Sequence, residues 1–83
     1  MTIYATEFGV GEMLKYTIVI EKADGNSSAY CPDLPGCVAT GATTEETARI
    51  IKQAIEFHIE GLKAEGLDVP PPATKSALVE VAA

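Results

Sequence analysis

Cys31, Cys37 and His58 are the residues of this chain whose types could support nucleophilic or metal chemistry. The two cysteines bracket the run CPDLPGC, and His58 is the sole histidine. A cysteine nucleophile requires a base within hydrogen-bond reach, and His58 is the one imidazole that could serve. It lies in a helical pattern between Phe57 and Ile59, where a flank histidine reads as structural. Two thiols and one imidazole fall short of the four ligands of a structural zinc site. A disulfide across the turn is geometrically conceivable, but a reducing cytoplasm disfavours it. Both cysteines therefore read as small, half-buried apolar side chains. Asp24, Asp33 and the glutamates of residues 45–60 are the remaining candidates for a metal-binding pair. The aspartates have a simpler role as turn formers, and the glutamates as a solvated helix face. No GxSxG, GxGxxG or P-loop pattern occurs. The expectation is no catalytic residue, no metal and no cofactor.

The elements that position these residues are legible in the periodicity. Leu14–Lys22 alternates with period two, Leu14, Tyr16, Ile18 and Ile20 on one face and Lys15, Thr17, Val19 and Glu21 on the other, the mark of a half-buried strand. Residues 23–27, Ala-Asp-Gly-Asn-Ser, supply the positive φ angles of a tight hairpin, and Ser28–Cys31 is the returning strand, with Tyr30 packing on the sheet. The two prolines and the glycine of residues 32–36 break that strand; Asp33 is placed to accept hydrogen bonds from the amides that follow it. Cys37–Gly41 is a short third strand. Thr43–Glu65 reads as one amphipathic helix: Thr43 and Glu46 form a capping box, and Ala48, Ile51, Ile55, Ile59 and Leu62 make an apolar stripe. Ile50, Ala54 and Phe57 widen that stripe; Arg49, Lys52, Gln53, Glu56, Glu60 and Lys63 populate the opposite face. Gly66 is the residue past its end. Three successive prolines at 70–72 form an extended connector, and Ser76–Val81 alternates as a last strand. The fold class is α+β, with order β-β-β-α-β, an antiparallel sheet under one long helix.

Residues 1–12 (MTIYATEFGVGE) stand apart from this pattern. They read as an appendage ahead of a start at Met13, or with Thr2–Phe8 as an extra edge strand; residues 13–83 form the single domain. Neither a secretory leader nor an apolar run approaching the ~18 residues of a membrane span is evident, so the expected location is the cytoplasm, away from the membrane.

The 83 residues are 47% hydrophobic and 22% charged, a globular balance. A domain of this size buries only roughly 60% of the surface its unfolded chain exposes, so self-association or a partner is the common remedy. The net charge of −6 opposes direct binding of nucleic acid by this chain alone. The same charge suits a basic protein partner, because complementary potentials raise the association rate; it also simply favours solubility.

The run from Tyr16 to Gly66, with its charged first-strand end, glycine turn, aromatic second strand, PDLPGC element and Thr-x-Glu-Glu helix start (Thr43 to Glu46), resembles the HicB-like antitoxin family over about Met13 to Pro72. The resemblance implies a partial ribonuclease-H-like fold without catalytic carboxylates. It also implies binding to a small basic HicA-type toxin, an mRNA-cleaving ribonuclease, whose RNA-binding surface the acidic antitoxin would cover. Many such proteins carry a further C-terminal DNA-binding domain; this chain ends at Ala83 after the last predicted strand and is read as a stand-alone member. Cys31, where an apolar residue is more usual, and residues 1–12 depart from the pattern.

On this reading Glu21, Tyr30, Asp33, Leu34 and Pro35 are the candidate partner-binding residues, with Leu34 an exposed anchor held between prolines. Ile50 and Phe57 are candidates for an oligomer interface, because the helix carries more apolar surface than one small sheet covers; a homodimer or higher homo-oligomer is expected. Two other functions are weighed against toxin neutralisation. One is an oligomeric regulatory or scaffold module without a toxin, which the absence of a neighbouring toxin gene would favour. The other is a small hydrolase or nuclease, suggested by fold alone, and fold does not confer activity.

Overall fold

The computed structural model describes residues 13–83; the two readings of residues 1–12 lie outside the described residues. Three strands precede one helix: β1 (Val19–Ala23), β2 (Asn26–Tyr30), β3 (Val38–Gly41) and α1 (Thr44–Ala64). The sheet is antiparallel with order β1-β2-β3, and the architecture is α+β.

Asp24-Gly25 joins β1 to β2 as a two-residue turn, because Ala23 pairs with Asn26; Gly25 takes φ +81, a conformation closed to most side chains. The helix opens as the capping pattern requires. Thr43 accepts from the Glu46 amide at 3.1 Å, while the Glu46 carboxylate accepts from the amide of Ala42 at 2.9 Å, one residue earlier than in the usual reciprocal box. At the other end Gly66 sits at φ +73. Its amide donates to the Lys63 carbonyl and the Leu67 amide to the Leu62 carbonyl, the paired bonds of a Schellman stop.

The core lies between the sheet and α1. Ala29, Cys31, Leu34, Cys37, Ala39 and Ile51 are buried, with Tyr16, Ile18, Ile20, Ile50, Ile55 and Ile59 packed around them. The sheet side is built of small residues, and that decides how closely the helix can lie. A methyl group on Gly41 would stand 2.7 Å from Thr47 Oγ1 and 3.1 Å from the Thr47 amide nitrogen, closer than van der Waals contact permits. Thr47 and Ser27, both buried, face each other with hydroxyls 2.6 Å apart. Thr47 donates to the Thr43 carbonyl at 2.7 Å, which leaves its oxygen free to accept the Ser27 proton, so both buried hydroxyls are satisfied.

Two sequence expectations change. The alternation of residues 14–18 is real in packing, since Tyr16 and Ile18 reach the core, but ladder pairing begins only at Val19. Ser76–Val81 pairs with no strand among the described residues, and Leu78, Val79 and Val81 are exposed. The expected fourth strand does not form: these residues carry no strand pairing, although residues 70 and 74 are bonded to Tyr16 and Thr17 just ahead of β1.

Thr47→Val keeps the shape but strands the Ser27 hydroxyl in the core, and is expected to lower unfolding free energy by about 1–3 kcal/mol. Gly41→Ala, which forces the helix start off the sheet, should cost about 1–3 kcal/mol. Urea titration followed by circular dichroism measures both.

Candidate docking surface

The candidate residues separate into three places. Cys31 to Cys37 folds into two successive tight turns: Leu34 donates its amide to the Cys31 carbonyl at 3.1 Å, Cys37 donates to the Leu34 carbonyl at 3.1 Å, and Cys31 closes the loop onto the Cys37 carbonyl at 3.2 Å. Gly36 at φ +90 makes the second turn possible. This geometry points residues 31, 34 and 37 inward. Leu34 is fully buried at 0% exposure, so it is a plug of the core and not the exposed anchor expected from its flanking prolines. The prolines constrain the backbone, and the period of three set by the turns carries Leu34 under the loop while Pro32, Pro35 and Gly36 stay outside.

Asp33 is also turned to an intramolecular task. Its Oδ2 accepts from the amides of Ala73 and Thr74, each at 3.0 Å, and its Oδ1 accepts from the Thr74 hydroxyl at 2.8 Å. These partners lie some forty residues away, and not in the amides just after it. They hold its carboxyl below the ordinary 3.8, the Thr74 amide contributing most. Thr17 adds a hydroxyl bond to the Thr74 carbonyl at 2.9 Å, and Tyr16 donates to the Pro70 carbonyl at 2.6 Å. The three-proline connector is thus pinned to the strand entry and to the turn at two points. Burial, with smaller contributions from Cys31 and Asp33, raises the Tyr16 hydroxyl above its usual value, which keeps it a donor.

The second place is the sheet face turned away from α1. Ser27, Ala29 and Ala39 point to the helix, so the alternate residues point outward. Cross-strand pairing aligns Val19 with Tyr30 and Tyr30 with Val38, an apolar row across all three strands. Tyr30 is 44% and Val38 66% exposed. Glu21, opposite Ser28, is exposed on the same face. Sequence reasoning selected Tyr30 and Glu21 but missed Val38. Its pairing register was the signal that would have found it: Val38 is the residue directly opposite Tyr30.

Ile50 and Phe57 occupy the third. Ile50 is half-buried against the core, whereas Phe57 remains 79% exposed on the flank of the stripe.

Cys31 and Cys37 are free and buried. Desolvation, and next the charge of Cys31, push the Cys37 thiol above its ordinary value, and its Sγ faces the Ala54 carbonyl at 4.0 Å. Among the described residues no three His, Cys, Asp or Glu side chains gather as a metal site, and no helix is long and apolar enough to cross a membrane.

Comparison with known proteins agrees with this architecture. The model of the HicB-like antitoxin of bacterial toxin-antitoxin systems matches residues 16–82. A UPF0150 protein of Synechocystis is 45% identical over 60 residues, 71% of this chain and 76% of its own. A UPF0150 protein of Thermoplasma acidophilum is 41% identical over 58 residues, 69% and 84% of the two chains. Among solved structures, a chain of the HicA3 and HicB3 toxin-antitoxin complex superposes with a TM-score of 0.60 at 35% identity, covering 71% of this chain and 70% of that one.

Two outcomes test the site geometry. Leu34→Ala should cost about 2–5 kcal/mol of stability, read by denaturant unfolding, because it empties the core beneath the turn. The Asp33 clamp should titrate. Its folded pKa is depressed, so its contribution is complete above the unfolded value and is lost as pH falls through the lower folded one. The Ala73 and Thr74 amide resonances should therefore shift with a midpoint below 3.8, and that transition should vanish in Asp33→Ala.

Proposed function

Because the chain belongs to the HicB-like antitoxin family, its residues 16–82 matching that family's model, we propose that it is a non-catalytic module that binds a small, basic HicA-type toxin and silences it by occlusion. The observation that carries this reading is the outward row Val19–Tyr30–Val38, which places apolar surface at the middle of an otherwise polar sheet face. Interfaces of stable complexes are built this way: a desolvated aromatic at the centre, surrounded by polar and charged residues that exclude water.

Tyr30 serves as the anchor and Val38 as its neighbour. Glu21 and the exposed Pro35 lie toward the rim. Asp33 and Leu34 act indirectly, by shaping the turn. The toxin's RNA-binding surface must be basic to hold phosphate, and a chain of net charge −6 attracts such a surface and raises the encounter rate. Covering it denies the RNA access without any bond being made or broken. The chain itself binds no nucleic acid in this scheme and works in the cytoplasm, where the toxin's mRNA substrate is. The related HicB3 chain was solved together with HicA3, which supports a partner of the same kind.

The test is titration of this protein with a HicA-type toxin, by calorimetry and by protection of an RNA substrate. Association at micromolar concentration or tighter, with loss of RNA cleavage, is expected; failure to associate refutes the proposal. Tyr30→Ala should weaken binding by about 2 kcal/mol, some thirtyfold, with the circular dichroism spectrum unchanged. Glu21→Gln should act mainly on the association rate and its salt dependence.

A further inference from the structure

The segment past the Asp33 clamp is the least explained part of the molecule. Leu78, Val79 and Val81 are 103%, 80% and 79% exposed, although residues 76–81 alternate as a strand does. The base of this segment, by contrast, is fixed: Asp33 and Thr17 hold residues 73 and 74 through four hydrogen bonds.

A receptor of matching shape lies on the same molecule. An open groove of about 520 Å³ runs between residues 13–18 and α1, with Leu14, Ile18, Ile55 and Ile59 in its lining. Beside it, β1 is an end strand of the sheet, with Val19–Ala23 flanked by no further strand among the described residues. Unpaired strand edges accept another chain readily. The groove's charge indicates which chain. Its lining holds Lys15, Lys52 and Lys63 against a single Glu56, a local excess of positive charge on a protein of net −6. That excess attracts an acidic protein and repels a basic one, so it suits a second copy of this chain and not a basic toxin.

We propose that residues 76–81 of one copy add as a strand to the β1 edge of a second copy, seating Val79 and Val81 in its groove, and that the exchange is reciprocal. Alternation places Ala77, Val79 and Val81 on one side, toward α1, and Leu78 on the other, beside Val19. Main-chain bonds give such an added strand its affinity and side-chain pockets its register. Reciprocal exchange about a two-fold axis closes the assembly at a dimer. The fixed base at residues 73 and 74 means that only six to eight residues need ordering on association, which limits the entropic penalty. The outward sheet face around Tyr30 is left open, so this dimer is independent of toxin binding.

Sedimentation equilibrium of the full chain without a toxin tests this, together with Val79→Asp/Val81→Asp and isotope-filtered NOEs on a mixture of labelled and unlabelled copies. A wild-type dimer is expected, shifted toward monomer at least tenfold in dissociation constant by the double substitution. Intermolecular NOEs should link the Val79 and Val81 methyls to Ile55 and Ile59. A monomeric wild type at high micromolar concentration overturns the proposal. So does a dimer indifferent to the substitutions, or NOEs from the groove that are only intramolecular, whether to the arm of the same copy or to residues 2–8. Both substituted residues are exposed, so a native circular dichroism spectrum of the variant separates lost assembly from lost folding.

Discussion

The close approach of α1 to the sheet at Thr47 is the constraint on which the remaining architecture depends. A helix can lie this near a strand only where the strand lacks side-chain bulk, and Gly41, Ala39, Ala29 and Ser27 provide that surface. The contact is polar at its centre, with the Ser27 and Thr47 hydroxyls 2.6 Å apart. In a dry interior an unmatched hydroxyl is unfavourable, so the pairing fixes one rotation and one height of the helix. From there the spacing of the apolar residues does the rest. Ile51, one turn on, closes the core, and Ile55 and Ile59 follow along the strand entry, where the sheet falls away and the groove opens.

A second constraint acts at the opposite end of the sheet. The turn between β2 and β3 buries Leu34 and presents Asp33 to the chain after the helix. One short loop therefore serves two purposes, filling the core from beneath and gathering residues 70–74 against the strand entry. The proline run is suited to being gathered: it is already extended, so little conformational freedom is lost when Tyr16 and Asp33 bind its ends. The outcome divides the surface. One face of the sheet is covered by the helix, the other carries the outward row through Tyr30, and the edge beside β1 borders an open groove.

Much of this was legible in the sequence because it is local. Period-two alternation, the Asp24-Gly25 turn, the Thr43 cap and the Gly66 stop are set by neighbours within a few residues, and each formed within a few residues of its expected bounds. The same holds for the family resemblance, carried by the turn and the helix start together. What escaped was non-local. Leu34 looked like an anchor because prolines flank it, yet its exposure depends on a turn geometry that only the packed core reveals. Asp33 was assigned to nearby amides when its partners lie in the connector. Thr47 drew no notice, since a threonine on a helix face carries no periodic signal until a serine from another strand meets it. The terminal alternation of residues 76–81 suggested a fourth strand, yet those residues pair with no strand among the described residues; a pattern of alternation cannot say whether a sheet edge will take the segment up.

The burial of both sulfur atoms has a consequence for how the molecule ages. Cys31 and Cys37 are 2% and 4% exposed, and the latter is held in its less reactive protonated form. Oxidants and alkylating agents act on accessible thiolate, so the folded protein is chemically quiet and only opened molecules react. The speed with which a thiol reagent labels this chain is thus a clock for core opening.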